Sequence, residues 1–365
     1  MAHASLVLTI GGAEIDEVYA GLLALEVELD DDLAGMFRLS LALRLRSDGT
    51  WTLLDDDVFT PWTTVVVRAG VDDAPTELIS GYVTHVRPEF GAVPEQCRLE
   101  VLGTDTSVLL DRVEVLKAWP AHKDSDIAGQ ILKDAGFEAK VTGTDVVHDD
   151  KVATIMQRET DLEFLRRLAR RNGFECFVDG NVGWFRPPAV AESPQPLLAA
   201  QFGAETNVNR LVVELDALAP AEVHAYGIDR ITKEPIAAAA RPGVQPALGK
   251  TGGAALSTGG VKPASVVLNR TVATSQAELA VLGQAVHDRA DWFVVADGEV
   301  GADRYGAVLK PRTTVTIKGV GSAFSGVYYV RRVTHVFSPD GYLQRFSARR
   351  NAIGPKGDEN FGGGR

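Results

Sequence analysis

The sequence predicts an α+β fold that is mainly β, with two pseudo-equivalent small β-barrels flanking an α/β middle region. Three observations predict it. Short alternating segments broken by turn residues dominate both ends of the chain, capped amphipathic helices occupy its middle, and a piece of the first end returns near the second. Pro61-Trp62-Thr63-Thr64-Val65 comes back as Pro311-Arg312-Thr313-Thr314-Val315, and Val83-Thr84-His85-Val86 comes back as Val333-Thr334-His335-Val336, both at an offset of 250. Chance supplies one shared tetrapeptide in a chain of 365 residues, but two in one register point to duplication. A chain carrying two such units can place six of them in a pseudo-sixfold ring by forming a trimer.

The first barrel is expected over residues 1–116. Leu25 to Leu29 and Phe37 to Leu41 alternate strictly, as strands with one buried face do. Asp30-Asp31-Asp32 between them reads as a turn with a solvated acidic tip, and strands also fit Thr63 to Ala69, Glu77 to Arg87 and Gln96 to Leu102. Residues 117–200 form the α/β middle domain. One helix is capped by Asp124 or Ser125, turns Ile127, Ile131 and Ala135 inward and ends at Gly136. A second opens with the capping box Thr160 and Glu163, buries Leu162, Leu165, Leu168 and Ala169, and stops at Asn172-Gly173. Phe174 to Val178 and Val182 to Phe185 then make a hairpin across Asp179-Gly180-Asn181.

The second barrel is expected over 201–353. Val213-Glu214-Leu215-Asp216 echoes Val27-Glu28-Leu29-Asp30 at an offset of 186, which is 64 less than the later echoes, so this copy holds an insertion. Its place is the Ala-, Gly-, Pro- and Thr-rich stretch at about 236–274, too poor in large apolar residues to order alone. A helix at about 276–291 follows, capped by Ser275 and Glu278 with Leu279, Leu282 and Val286 inward, and 354–365 is a polar tail.

Charge and composition exclude several classes. A formal net charge of −12 argues against a sequence-independent grip on nucleic-acid phosphates and suits a channel lining that repels a passing polyanion. No apolar run approaches the roughly 20 residues that cross a bilayer, and the first residues lack a signal-peptide pattern, so synthesis and assembly in the bacterial cytoplasm without stable membrane insertion are expected. Cys97 and Cys176 read as buried free thiols.

Catalytic and cofactor motifs fail on inspection, so no catalytic residue, cofactor or metal is expected. Gly249-Lys250-Thr251 has Val244 where a phosphate loop needs glycine, and Gly319-Val320-Gly321 has Phe324 where a dinucleotide fingerprint needs its third. The histidines show no metal-ligand spacing, and His148-Asp149-Asp150 reads as a solvated turn. His85 and His335 mark equivalent places in the two copies and are expected to be structural. Arg166, Arg167, Arg170 and Arg171 crowd the last turns of the second helix, either favouring its C-terminal dipole or forming an assembly interface with an acidic neighbour. Asp55-Asp56-Asp57 is the one carboxylate run that could serve a tail-tip cell-wall hydrolase, and a loop is the simpler reading. A glycan-binding accessory would need a stacked aromatic series, which 7% aromatics do not supply.

The segment Gln157-Arg158-Glu159-Thr160-Asp161-Leu162-Glu163-Phe164-Leu165-Arg166-Arg167-Leu168-Ala169 resembles the late-control D family of contractile phages, which includes the myophage baseplate hub. The N-terminal half of type VI valine-glycine repeat spike proteins shares it. Phe174 to Val178, Phe324 to His335 and Arg350-Asn351-Ala352 extend the resemblance over about residues 1–355. The resemblance implies a non-enzymatic homotrimer around a central channel, joining a threefold spike to a hexameric inner tube beside baseplate wedge components. The particle would be a virion or an injection device of a kind that can be released. Fused relatives continue into an oligonucleotide-fold domain and a β-helical needle, whereas this sequence stops at Gly362-Gly363-Gly364-Arg365, so a separate spike protein is expected.

Overall fold

A computed structural model describes residues 4–71, 75–148, 150–152, 154–219, 221–256, 261–262, 264–269, 273, 275–357, 359 and 361. The first unit holds β1 (Ala4–Ile10), a short helix α1 (Asp16–Gly21), β2 (Leu22–Asp30), β3 (Met36–Ala42), β4 (Thr64–Val71), β5 (Thr76–Glu89) and β6 (Arg98–Asp105). Their side-by-side order is β1-β4-β5-β6-β3-β2. The inward residues Leu8, Val27, Leu39, Val65, Val83 and Val101, one from each strand, are fully buried in a single cluster. The sheet therefore wraps its own core, as period-two alternation requires.

The middle region holds β7 (Glu114–Trp119), α2 (Asp124–Asp134), β8 (Glu138–Val141), β9 (Ile155–Thr160), α3 (Asp161–Asn172), β10 (Glu175–Asp179) and β11 (Val182–Arg186). Both helices pack their apolar faces with Phe185 and Val178 in a second core. The Thr160 Oγ1 accepts from the Glu163 amide at 3.3 Å, and Gly173 ends α3 with a left-handed φ of 68°. Thr160→Ala is expected to cost about 1 kcal/mol in urea unfolding, the usual value of an N-cap. Neither predicted side chain caps α2: Lys123 is the cap residue, and Asp124 lies buried at the first helical position.

The second unit contains β12 (Gln195–Ala199) and β13 (Val208–Leu215), then an excursion of β14 (Ala221–Ile228), β15 (Pro235–Ala239), β16 (Thr251–Gly252), β17 (Ala264–Leu268) and α4 (Gln276–Ala290). It resumes with β18 (Val294–Gly301), β19 (Thr314–Lys318), β20 (Gly326–Ser338), β21 (Gly341–Arg350) and a last short strand β22 (Ala352–Ile353). Its order is β12-β19-β20-β21-β18-β13. Ranked by position in the chain, both units read 1-4-5-6-3-2, so the duplication is one of topology. The copies differ at one edge, where β1 runs antiparallel to β4 but β12 runs parallel to β19. No pairing among the described residues joins β1 to β2 or β12 to β13, so each barrel is open at that seam.

The insertion begins earlier than its composition suggests. Residues 217–293, 77 in all, stand where the first unit has the four residues 31–34. The next connection is shorter, 12 residues at 302–313 against 21 at 43–63, and the net of 73 more and 9 fewer is the 64-residue change in offset. Much of the stretch read as unable to order alone is held by α4, whose Leu279 packs with Ala225, Ile236 and Leu268. Residues 257–260, 263, 270–272 and 274 of that stretch, and 358, 360 and 362–365 of the tail, lie outside the described residues. β7 pairs with β9, and β12 pairs with β19.

Candidate functional site

The two units meet at one seam. β2, the edge of the first unit, pairs antiparallel with the second half of β20, from Leu25 opposite Phe337 to Asp30 opposite Arg332. The first half of β20 is occupied on that side by β19. Leu25 and Val27 are fully buried there, and Phe337 and Tyr342, at the end of the β20–β21 hairpin, enter the first unit's core. A fully buried aliphatic side chain stabilises by about 1.5–3 kcal/mol, so this seam is a permanent union.

The atoms around the repeated Pro-x-Thr-Thr-Val phrase coincide in the two units. Trp62 and Arg312 both take left-handed φ values, 71° and 64°. The Trp62 amide donates to the Val83 carbonyl at 2.8 Å, and the Arg312 amide donates to the Val330 carbonyl at 2.8 Å. Thr64 lies opposite Tyr82 and Thr314 opposite Tyr329, with a bulge just beyond in each strand. Structural equivalence along β5 and β20 therefore runs at an offset of 247. His85 aligns with Arg332, and the echoing tetrapeptides sit three residues out of step. The two histidines differ accordingly. His335 is fully buried with Nδ1 2.8 Å from the Tyr342 hydroxyl, whereas His85 is exposed beside Thr84. Burial and the charge of Lys310 hold His335 down at about 3.

A buried polar junction fastens the middle region to both units. Asp30 and Asp31, expected in a solvated tip, are buried, and only Asp32 of the three is exposed. They are drawn inward because three arginines converge on them. Arg349 reaches Asp31 at 2.7 Å, Arg331 reaches it at 3.4 Å, and Arg312 donates to the Asp30 carbonyl. Glu175 of β10 accepts from the Tyr329 hydroxyl at 2.7 and 2.8 Å. Burial and the nearby Asp31 carboxylate push Glu175 up to about 7, against the pull of Tyr329 and Arg349. Asp31, Glu175, Arg331 and Arg349 border a cleft of about 340 Å³ shared with Arg170 and Trp292.

Glu175's raised value means its contribution to stability is complete below the ordinary 4.5 and is lost as pH rises toward 7. Between pH 5 and 8 the parent should lose about 2–3 kcal/mol relative to Glu175→Gln, whose neutral amide does not titrate. Parallel urea midpoints across that range test it, and parallel pH profiles would refute it.

The predicted arginine strip is divided among partners inside the chain. Arg167 pairs with Glu159 at 2.6 Å, Arg170 with Asp32 at 2.9 Å, and Arg171 with Glu278 of α4 and, at 3.8 Å, Asp124. Among the described residues, Arg166 has no hydrogen-bond partner at its Nε. Three of the four arginines thus meet carboxylates of the same chain, supplied by β9, by the turn after β2 and by α4. His148 is a correction too: it is buried, with Nε2 2.7 Å from Asp124, while Asp149 lies outside the described residues. Asp56 is gripped by Arg46 at 2.8 and 2.6 Å and lowered to about 2, and Asp55 accepts from the Trp51 amide, so that run shapes a turn. Cys97 and Cys176 are free and buried, and burial pushes Cys176 up to about 12. Among the described residues no acidic, His or Cys cluster has metal-ligand geometry, and no helix is long and apolar enough to cross a membrane.

Sequence reasoning missed Arg312, Arg349, Tyr329 and Glu175. Arg312 had a visible signal, since it replaces Trp62 inside the repeated phrase. The others sit in ordinary strand patterns, and only three-dimensional convergence reveals them.

Two copies of one six-stranded unit, joined edge to edge around a clamped α/β middle, give this chain a fold that matches solved phage tail proteins. The 43 kDa tail protein of prophage MuSo2 from Shewanella oneidensis matches with a TM-score of 0.68 at 16% identity, over 96% of this chain and 99% of that one. A tail protein from Neisseria meningitidis MC58 matches with 0.65 at 14% identity, over 96% and 97%. An E. coli component of the type VI secretion system, described as similar to T4 bacteriophage tail proteins gp27 and gp5, matches with 0.58 at 14%, over 94% and 76%. The chain belongs to the Alg8 N-terminal domain family, whose model matches residues 2–338. No curated protein matches it in sequence.

Proposed function

We propose that this protein is a structural hub of a contractile phage tail or of a phage-derived injection device. As a homotrimer it presents six like units in a ring and so adapts a threefold spike to a hexameric inner tube, beside baseplate wedge components. The observation that carries this reading is the shared 1-4-5-6-3-2 strand order of the two units. A symmetry adapter needs such equivalence, because a sixfold partner must meet alike surfaces from a threefold body. The fold of phage tail and type VI proteins supports the same reading. The buried arginine–carboxylate junction supports it as well, because a load-transmitting part benefits from a middle region that does not swing. The work is mechanical, carried by subunit burial and not by a reaction.

The test is mass and place together. The purified protein should have three times the 39.1 kDa chain mass, and density for it in an assembled particle should lie between tube and spike. A monomer at micromolar concentration, or a position on the particle's outer shell, would contradict the proposal.

A further inference from the structure

The seam between β2 and β20 has an empty counterpart at the two ends of the same chain. The strand equivalent to β2 is β13, at an offset of 186: Leu25 pairs with Leu39 and Glu28 with Met36, just as Leu211 pairs with Gly298 and Glu214 with Val295. Asp30 and Asp216 close these strands alike, each accepting from the amide two residues on, at 2.9 and 2.8 Å. The strand equivalent to β20 is β5, at an offset of 247. On the edge that forms the internal seam, both counterparts are unpaired among the described residues. β13 ends its sheet, and beyond Val83 the strand β5 has β6 on one side only.

Exposure follows the same division. Leu25 and Val27 are fully buried, while their equivalents Leu211 and Val213 are half-buried. Phe337 is 7% exposed, while its equivalent Phe90 is 55% exposed. An apolar strand edge left open in this way is a pairing template.

We propose that β13 of one copy pairs antiparallel with the second half of β5 in a neighbouring copy, in the register of β2 on β20. Carrying the two offsets through that ladder sets Leu211 opposite Phe90, Leu215 opposite Val86, Glu214 opposite Arg87 and Asp216 opposite His85. The first pair repeats Leu25 against Phe337, and the last repeats an acid–base pair, Asp30 against Arg332. The Glu214–Arg87 pair is complementary in charge and the Asp216–His85 pair in hydrogen bonding, although neither was part of the offset argument. Pro88 falls opposite Val213 and has no N–H, so the ladder holds at most one bond fewer than its internal model. That proline also discourages indiscriminate strand addition to β5.

The second copy is the occupant because the seam already exists once within each chain. Applying the same operation from unit to unit alternates internal and external seams, and it leaves no β13 or β5 edge open if six units complete a turn. The inference rests on the trimeric reading above and specifies its interface.

Co-expression of two differently tagged chains, one His85→Cys and one Asp216→Cys, tests the register. Cys97 and Cys176 are buried and do not compete. Mild oxidation should give a two-chain product on a non-reducing gel. Glu89→Cys with Asp216→Cys, displaced by four residues or about 13 Å, should not. Arg87→Glu should raise the concentration for half-dissociation about tenfold, and adding Glu214→Arg should restore it. A trimer that cross-links only out of register, or not at all, and shows no charge-swap rescue overturns this interface while leaving the hub reading intact. A monomeric wild-type protein overturns both.

Discussion

Arg350→Ala is expected to lose about 3–4 kcal/mol of unfolding free energy, because it strips several buried carbonyls of their donors at once. The Arg350 side chain is fully buried at the end of β21. Its guanidinium donates to the Leu248 carbonyl at 3.1 and 3.0 Å, to Ser325 at 3.1 Å and to Gly354 at 2.7 Å. It thereby ties the far end of the insertion and the last strand to the start of β20. Gly326, at a φ of 145°, admits it: a Cβ there would lie 2.4 Å from the guanidinium. The next residue, Asn351, continues the clamp by accepting from the Leu248 amide at 2.8 Å and donating to the Pro246 carbonyl at 3.1 Å. Arg350→Lys should recover only part of the loss, since one ammonium cannot span the planar fork of acceptors. Urea unfolding of both variants decides the matter. An alanine variant within about 0.5 kcal/mol of the parent, the usual range for a surface change, would show that the clamp is dispensable.

Acid should unfold the protein through His335. The ring is held near 3, below the ordinary 6.5, so the unfolded chain takes up a proton before the folded one does. Stability from this group is complete above pH 6.5 and is lost as pH falls toward 3, by about 4 kcal/mol in all. His335→Asn keeps a polar group near the Tyr342 hydroxyl and cannot titrate. It is expected to be less stable at neutral pH yet to lose much less between pH 6.5 and 3.5. Glu175 opposes the trend over part of this range, because its protonation becomes favourable as pH falls below about 7. The comparison is cleanest when Glu175→Gln is present in both proteins. Equal acid slopes with and without His335 would refute the assignment.

The two histidines illustrate where sequence reading succeeded and where it failed. The tetrapeptides around His85 and His335 pointed correctly to a duplicated unit and to β5 and β20, yet they are three residues out of structural step. The echo between Val27-Glu28-Leu29-Asp30 and Val213-Glu214-Leu215-Asp216 is in step at the atomic level, down to the turn closed by the aspartate. Short apolar alternation specifies that a strand exists and which face is buried. It does not specify register, which depends on bulges placed by the partner strand. The capping boxes at Thr160 and Ser275 were legible because an N-cap is a local chemical event, complete within four residues.

What the sequence determined by itself was the α+β class, the repeated β unit, the existence of an insertion and the helix starts at Thr160 and Ser275, all properties of neighbouring residues or of internal likeness. Only tertiary structure decided that Asp31, Glu175, Tyr329 and Arg349 share one buried junction, that Arg167, Arg170 and Arg171 of α3 pair with carboxylates of the same chain, and that β13 and the end of β5 each keep one edge unpaired among the described residues. Those outcomes depend on residues brought together from opposite ends of the chain, where burial changes the cost of a charge and a missing neighbour leaves a strand edge open.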